Sequence, residues 1–313
     1  MIISASRRTD IPAFYAEWFV KRLQEGVVLV RNPMNFHQVS RITLSPEDIE
    51  CVVFWTKNPA AILAKLAEID SLGYRYYFLF TLTPYDCSIE AKVPDTLERI
   101  AAFQALAERI GKEKVIWRYD PILFTDRYTP SFHAAAFAGF AEKLAGFTEK
   151  CIVSFVEMYR KCERNMQGLR LTAPPIEERT RLLHTLQRIA AAHGIALQTC
   201  ATGADLEKAG IMPGKCIDND LLARITGTEI HAGKDKNQRR ECGCIESIDI
   251  GAYNSCPHGC LYCYANNDRI SVTRNFAAHN PDAHLLYGTI NVGDKISERV
   301  LKRLTGKQPQ FSS

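Results

Sequence analysis

The sequence predicts an α/β fold built on parallel strands, closed completely or partly into a barrel. Two observations carry this. Short runs of β-branched and aromatic residues alternate with amphipathic stretches of helical period along most of the 313 residues, and such alternation implies parallel strands joined by right-handed crossovers. Almost every strand also ends in polar residues, which a barrel brings together at one mouth. An open doubly wound sheet would gather only those beside its switch point.

In chain order, the expected strands are MIISAS (1–6), CVVFWT (51–56), YYFLFTLT (76–83), KVIWRY (114–119), CIVSFVEMY (151–159), IALQTCA (195–201) and IESIDIG (245–251). Each is a short apolar run bounded by polar or turn residues, as buried parallel strands are. Between them, helical periodicity covers 14–24, 60–69, 95–110, 131–144 and 175–193. Residues 204–240 are the least regular stretch and read as an excursion from the barrel. With no repeat and no clear linker, 1–313 reads as a single domain with a cysteine-rich region at 200–267.

Hydrophobic residues make up 46% of the chain and charged residues 24%, the balance of an ordinary globular protein. A net charge of +4 and a pI near 8.4 are too mild to argue for nucleic acid or an acidic membrane surface. The start MIISASRRTDIPAFY lacks the succession of a secretory signal, and no apolar run reaches the length needed to cross a bilayer. The expectation is a cytoplasmic protein with no membrane partner, whose thiols stay reduced. Its eleven cysteines then need a role other than disulfides. Seven of them lie between Cys200 and Cys263.

Three stand together in CPHGCLYC, as Cys256, Cys260 and Cys263. Thiolates bind soft metals, and three at C-x3-C-x2-C spacing wrap one corner of an iron–sulfur cube. A four-iron cube held this way leaves one iron without a protein ligand, and an open position is what a catalytic metal keeps. Pro257 and Gly259 suit a tight loop whose amides turn inward. Zinc also accepts clustered thiolates, although it prefers paired C-x2-C units. His258 reads as a solvent-facing residue of this loop.

CPHGCLYC after IESIDIG resembles the signature of the radical S-adenosylmethionine superfamily, C-x3-C-x-aromatic-C, with Tyr262 as the aromatic residue. The resemblance implies a (β/α) barrel, a [4Fe-4S] cluster on the three cysteines, and S-adenosyl-L-methionine chelated to the open iron. It implies reductive cleavage of that ligand to a 5′-deoxyadenosyl radical, with the electron from a donor such as flavodoxin or ferredoxin. The superfamily usually carries this loop after the first strand, whereas here it follows nearly all of them. With SRRTDIP, FWTKNP, RYDP and CGCIESIDIG as well, the whole chain resembles the domain-of-unknown-function family numbered 1848, noted for a loop moved to the C-terminus. The segment that holds the methionine amino group then has no room downstream. The resemblance leaves SASRRTD for it, with Ser6, Arg7 and Arg8.

Cys200, Cys216, Cys242 and Cys244 form a second set. By the same resemblance they could complete a closed, fully ligated auxiliary [4Fe-4S] cluster; zinc and ordinary reduced thiols are the alternatives. Cys51 and Cys151 begin apolar strands and read as buried small hydrophobes. Near the strand ends stand Arg118, Asp120 and Glu157, charged groups that are costly beside apolar strands unless paired or used. They are either structural ion pairs or the groups that hold nucleotide and substrate, since an arginine fork binds carboxylate or phosphate bidentately. The sequence therefore reads as an iron–sulfur enzyme of radical S-adenosylmethionine type. Its rivals are a non-enzymatic iron–sulfur electron carrier or redox sensor, and a zinc-stabilised nucleic-acid binder.

Overall fold

The apolar runs form strands covered on both faces, and this sets the architecture. The computed structural model describes residues 1–200, 210–300 and 302–304. Its strands are β1 (Ile2–Ala5), β2 (Val27–Arg31), β3 (Gln38–Thr43), β4 (Cys51–Thr56) and β5 (Tyr76–Thr81), then β6 (Val115–Ile122), β7 (Lys150–Phe155), β8 (Ala196–Thr199), β9 (Ile248–Asp249) and β10 (Lys295–Glu298). All six residues of β4 and of β5 are buried, as expected of parallel strands with cover on both sides.

Seven strands make one parallel sheet in the order β8-β7-β6-β5-β4-β1-β9. These are the seven expected from the sequence. The sheet is open: β8 and β9 are its edges, and at four and two residues they are too short for much further pairing. The closed form of the expected barrel is therefore absent among the described residues.

Helices α1 (Ile11–Phe14), α2 (Ala16–Glu25), α3 (Ala60–Leu63), α4 (Leu66–Ser71), α5 (Thr96–Ile110), α6 (Pro130–Leu144), α7 (Arg160–Asn165) and α8 (Ile176–Ala192) lie between the strands. The long ones cover one face of the sheet. There Phe19 meets Phe54 at 5.2 Å, Phe103 meets Phe80 at 5.0 Å, and Phe137 stacks on Trp117 at 4.5 Å. Because side chains alternate along a strand, Val53, Trp55, Tyr77, Leu79, Ile116 and Ile152 enter a second core on the other face. That core is filled by Ile217, Ile245, the short helix α9 (Asn219–Thr226) with Leu221 and Leu222, and the four cysteines of the second set.

Several boundaries differ from expectation. The helical stretch 60–69 is broken at Ala64 and Lys65, and the expected strands 151–159 and 245–251 shorten to β7 and β9. The expected strand 114–119 runs on through Asp120 and Pro121 to Ile122, so Arg118 and Asp120, two apart, share one strand face. A hairpin of β2 and β3, with β10 parallel to β3, was not read from the sequence. Neither was α10 (Arg269–Ala277). Residue 201 of the expected strand 195–201 and residues 204–209 of the expected excursion lie outside the described residues. No helix among the described residues is long and apolar enough to cross a membrane.

Candidate metal centre

The parallel pairing of β9 with β1 sets Ser4 beside Asp249, so the cysteine loop leaves the sheet at the edge where SRRTD leaves β1. Asp249 ties the two exits together. Its carboxylate accepts from Ser4 Oγ at 3.0 Å, Ser6 Oγ at 2.7 Å, Arg7 N at 2.8 Å and Gly251 N at 3.0 Å. Gly251 is glycine for want of space, since a Cβ there would sit 2.6 Å from Ser6 Cβ and closer still to its hydroxyl.

Beyond Gly251 the loop closes on itself and on its neighbours. Asn254 and Gly259 take positive φ of 55° and 72°, a region that asparagine and glycine enter most readily. Asn266 Nδ2 donates to Cys256 O at 2.8 Å, Tyr15 hydroxyl to Ser255 O at 2.5 Å, and Leu261 N to Ile89 O at 2.9 Å. Cys256, Cys260 and Cys263 are partly exposed. Burial raises the pKa of all three thiols. Backbone hydrogen bonds of His258 and Asp10 oppose this at Cys256, those of Ala265 and Asn266 at Cys263, and the Lys57 charge at Cys260. Thiols so placed stay protonated until a metal ion displaces the proton.

Among the described residues, no group of three or more His, Cys, Asp or Glu stands ready around a single ion. Amides aimed at the sulfurs are a requirement of a thiolate-held cluster, and Cys256 and Cys263 have them. The residues present fit the group.

Under the loop lies a buried ion network that sequence reasoning missed. The Glu90 carboxylate, 1% exposed, accepts from Lys57 Nζ at 2.8 Å, Arg99 Nη1 at 3.3 Å, Thr83 Oγ1 at 2.6 Å and the Tyr262 hydroxyl. Burial raises its pKa, but Lys57 and Arg99 outweigh that and the net shift is downward. Glu90 also pairs through its backbone with Cys260, so the network grips the loop directly. One signal was present in the sequence: Arg99 stands on the buried stripe of α5 with Phe103, Leu106 and Ile110, and a cation there needs a carboxylate. His258 corrects the expectation of a solvent-facing residue. It is 3% exposed, with Nε2 2.8 Å from Asp10 Oδ2 and its ring 4.7 Å from Phe14. Asp10, 248 residues away, gives no local hint of this.

The candidate cofactor residues divide. Ser6 is committed to Asp249 and to Arg8 N. Tyr262 turns its hydroxyl to Glu90, and its carbonyl accepts from Cys162 Sγ at 3.2 Å. Arg8 lies 5.2 Å over the Tyr253 ring, with Nη1 3.4 Å from Gly251 O. Arg7 and Arg118 stack on the Trp55 ring at 5.1 and 4.9 Å. Arg7 Nη1 donates to Ser247 Oγ at 3.1 Å and lies 3.9 Å from Asp235, leaving Nη2 buried and unpaired. Arg118 pairs with Asp120, which Ser154 Oγ also meets, while Arg118 Nε is buried and unpaired. Glu157 lies beyond β7, paired with Arg239 and accepting from Tyr159 hydroxyl at 2.6 Å. Burial raises its pKa, but these two partners prevail and hold it below the usual value.

The second thiol set also comes together. Cys200 and Cys216 sulfurs are 3.7 Å apart. Cys242 and Cys244 are buried in the same cluster. Ile217 N donates to Cys244 Sγ at 3.4 Å. Arg118 lies within electrostatic reach of Cys200 and Cys216, and Arg7 within reach of Cys216 and Cys244. Cys51 and Cys151 are buried in the strands, as read from the sequence.

Compared with known families, the chain matches, over residues 2–265, the one described as a domain of unknown function, DUF1848. The chain belongs to this family. The DUF1848 match runs through the last loop cysteine, so sheet and cysteine loop fall within one family unit. No curated protein matches the chain.

Proposed function

We propose that this DUF1848 protein is an iron–sulfur enzyme of radical S-adenosylmethionine type. The observation that carries the reading is the loop itself: three thiols, and no more, on a hydrogen-bonded loop at the polar edge of a parallel sheet. Cys256, Cys260 and Cys263 would hold a [4Fe-4S] cluster and leave one iron for S-adenosyl-L-methionine, with the open sheet serving as a partial barrel. Bound and reduced, the cluster would supply the electron that splits the sulfonium of that ligand.

The chain's own part is positioning. Trp55 fixes the guanidinium planes of Arg7 and Arg118, whose forks suit a carboxylate of nucleotide or substrate. Asp120 is paired with Arg118 and Glu157 with Arg239, so a substrate would reach these carboxylates by exchanging with those partners. Lys57, Glu90 and Arg99 keep the loop in place and together carry one net positive charge. A small electron-transfer protein such as flavodoxin or ferredoxin would be the donor.

Anaerobically reconstituted protein should be brown, and after reduction should release 5′-deoxyadenosine and methionine slowly, even without substrate. Cys256→Ala, Cys260→Ala and Cys263→Ala should each abolish this, whereas Arg118→Ala should keep the iron and weaken turnover. An intact, reducible cluster with neither cleavage nor any spectral change on adding the nucleotide would overturn the enzyme reading in favour of an electron carrier.

A further inference from the structure

The second core contains four thiols that the proposed chemistry does not use. Cys200 stands directly after β8, Cys216 further along the chain, and Cys242 with Cys244 returns just before β9. Four cysteines from three separate segments meet in one buried cluster, with the Cys200 and Cys216 sulfurs 3.7 Å apart. Cys51 and Cys151, also fully buried, illustrate the alternative of single thiols packed as small hydrophobes.

We propose that Cys200, Cys216, Cys242 and Cys244 close a second metal centre, ligated by four thiolates and lacking an open position. Three features support it independently of the cysteine loop. The first is spacing. The Cys200 and Cys216 sulfurs are 3.7 Å apart, one edge of the size a thiolate-bound zinc requires, and Cys242 and Cys244 lie in the same buried cluster. The second is charge. Four thiolates on one divalent ion, or on a doubly positive cube, carry two surplus negative charges into an apolar core, which buried cations must offset. Arg7 and Arg118 flank the four thiols, and each keeps a buried nitrogen without a partner. The third is a backbone donor, Ile217 N, aimed at Cys244 Sγ, as thiolate ligands require.

The centre would also explain how the segment 210–246 keeps its shape. Apart from α9 it has no helix or strand among the described residues, yet Ile211, Ile217, Ile230 and Ile245 are buried in it. A closed thiolate centre supplies the cross-links that a regular backbone would otherwise provide. Loading would release the thiol protons, with no change in sulfur oxidation state.

The test uses full-length protein carrying Cys256→Ala, Cys260→Ala and Cys263→Ala, purified anaerobically from cells supplied with iron and zinc. This separates the second centre from the loop, so that failure of one reading leaves the other standing. About one zinc, or about four irons with four sulfides, should remain per chain. Either metal supports the centre, and the two counts distinguish a single ion from a cube. Adding Cys242→Ser and Cys244→Ser should remove that metal. Should those variants not fold, the parent protein answers instead: a chelator, with ferricyanide where iron is present, should release the metal. The peptides carrying the four cysteines should then become alkylated by iodoacetamide at least tenfold faster. Protein that retains neither metal, with alkylation the same with and without chelator, overturns the proposal.

Discussion

Replacing Glu90 by Gln tests whether the buried ion network holds the cysteine loop. The amide keeps the shape but removes the charge, and it turns a donor toward Lys57 Nζ and Arg99 Nη1, which lie 2.8 and 3.3 Å from the carboxylate. Breaking a buried ion pair from one side costs about 3–5 kcal/mol, because the remaining charge stays in low dielectric. Two cations are left here. Lys57 is 12% exposed and draws some water, and Arg99 keeps Thr83 O at 3.2 Å, which places the loss in the lower half of that range. At about 2 °C per kcal/mol for a chain this long, the melting midpoint should fall by about 6–8 °C. Acid should act in the same direction on the parent protein. The folded-state pKa of Glu90 is held below its ordinary 4.5, so its contribution is complete above that value and is lost as pH falls through the depressed one. The assay is thermal unfolding by circular dichroism at neutral pH, with iron per chain measured after reconstitution. Because the side chain next to the backbone bridge with Cys260 no longer pairs with Lys57 and Arg99, iron retention should fall too. A midpoint within about 2 °C of the parent, with iron unchanged, would refute this reasoning.

Gly251→Ala should destabilise by about 1–3 kcal/mol, since the new methyl would displace Ser6 and break its 2.7 Å bond to Asp249; chemical denaturation of the two proteins measures this. His133 is buried between the Tyr119 hydroxyl and Leu123 O, at 2.8 and 2.9 Å, and burial lowers its pKa from 6.5 to about 4. The unfolded chain binds its proton first, so stability should be complete above about pH 6.5 and decline by about 3 kcal/mol as pH falls toward 4. Urea midpoints across that range should show the decline, and His133→Asn should flatten it.

Legibility followed the range of the interactions. CVVFWT and YYFLFT stood out because strands buried on both faces need an unbroken apolar run, a purely local pattern. The hairpin was harder to see: β3 buries only Val39 and Ile42, three apart among exposed and half-buried residues, which is neither an apolar run nor an alternation, and its cover comes from elsewhere in the chain. The helix at 60–69 kept its apolar period while its backbone broke in the middle, because periodicity records which side is buried and not whether every turn is continuous.

By itself, the sequence determined the strands, their polar ends and the three-thiol loop, since each depends on residues that are near neighbours in the chain. Only the tertiary structure decided that the sheet stays open, that His258 turns inward to Asp10, and that Glu90 gathers Lys57, Arg99 and Tyr262. It alone gathered Cys200, Cys216, Cys242 and Cys244 into one buried cluster within electrostatic reach of two arginines. These are contacts between buried polar groups distant in sequence. Their partners follow from which strands adjoin, and the short-range pattern of residues carries no record of that.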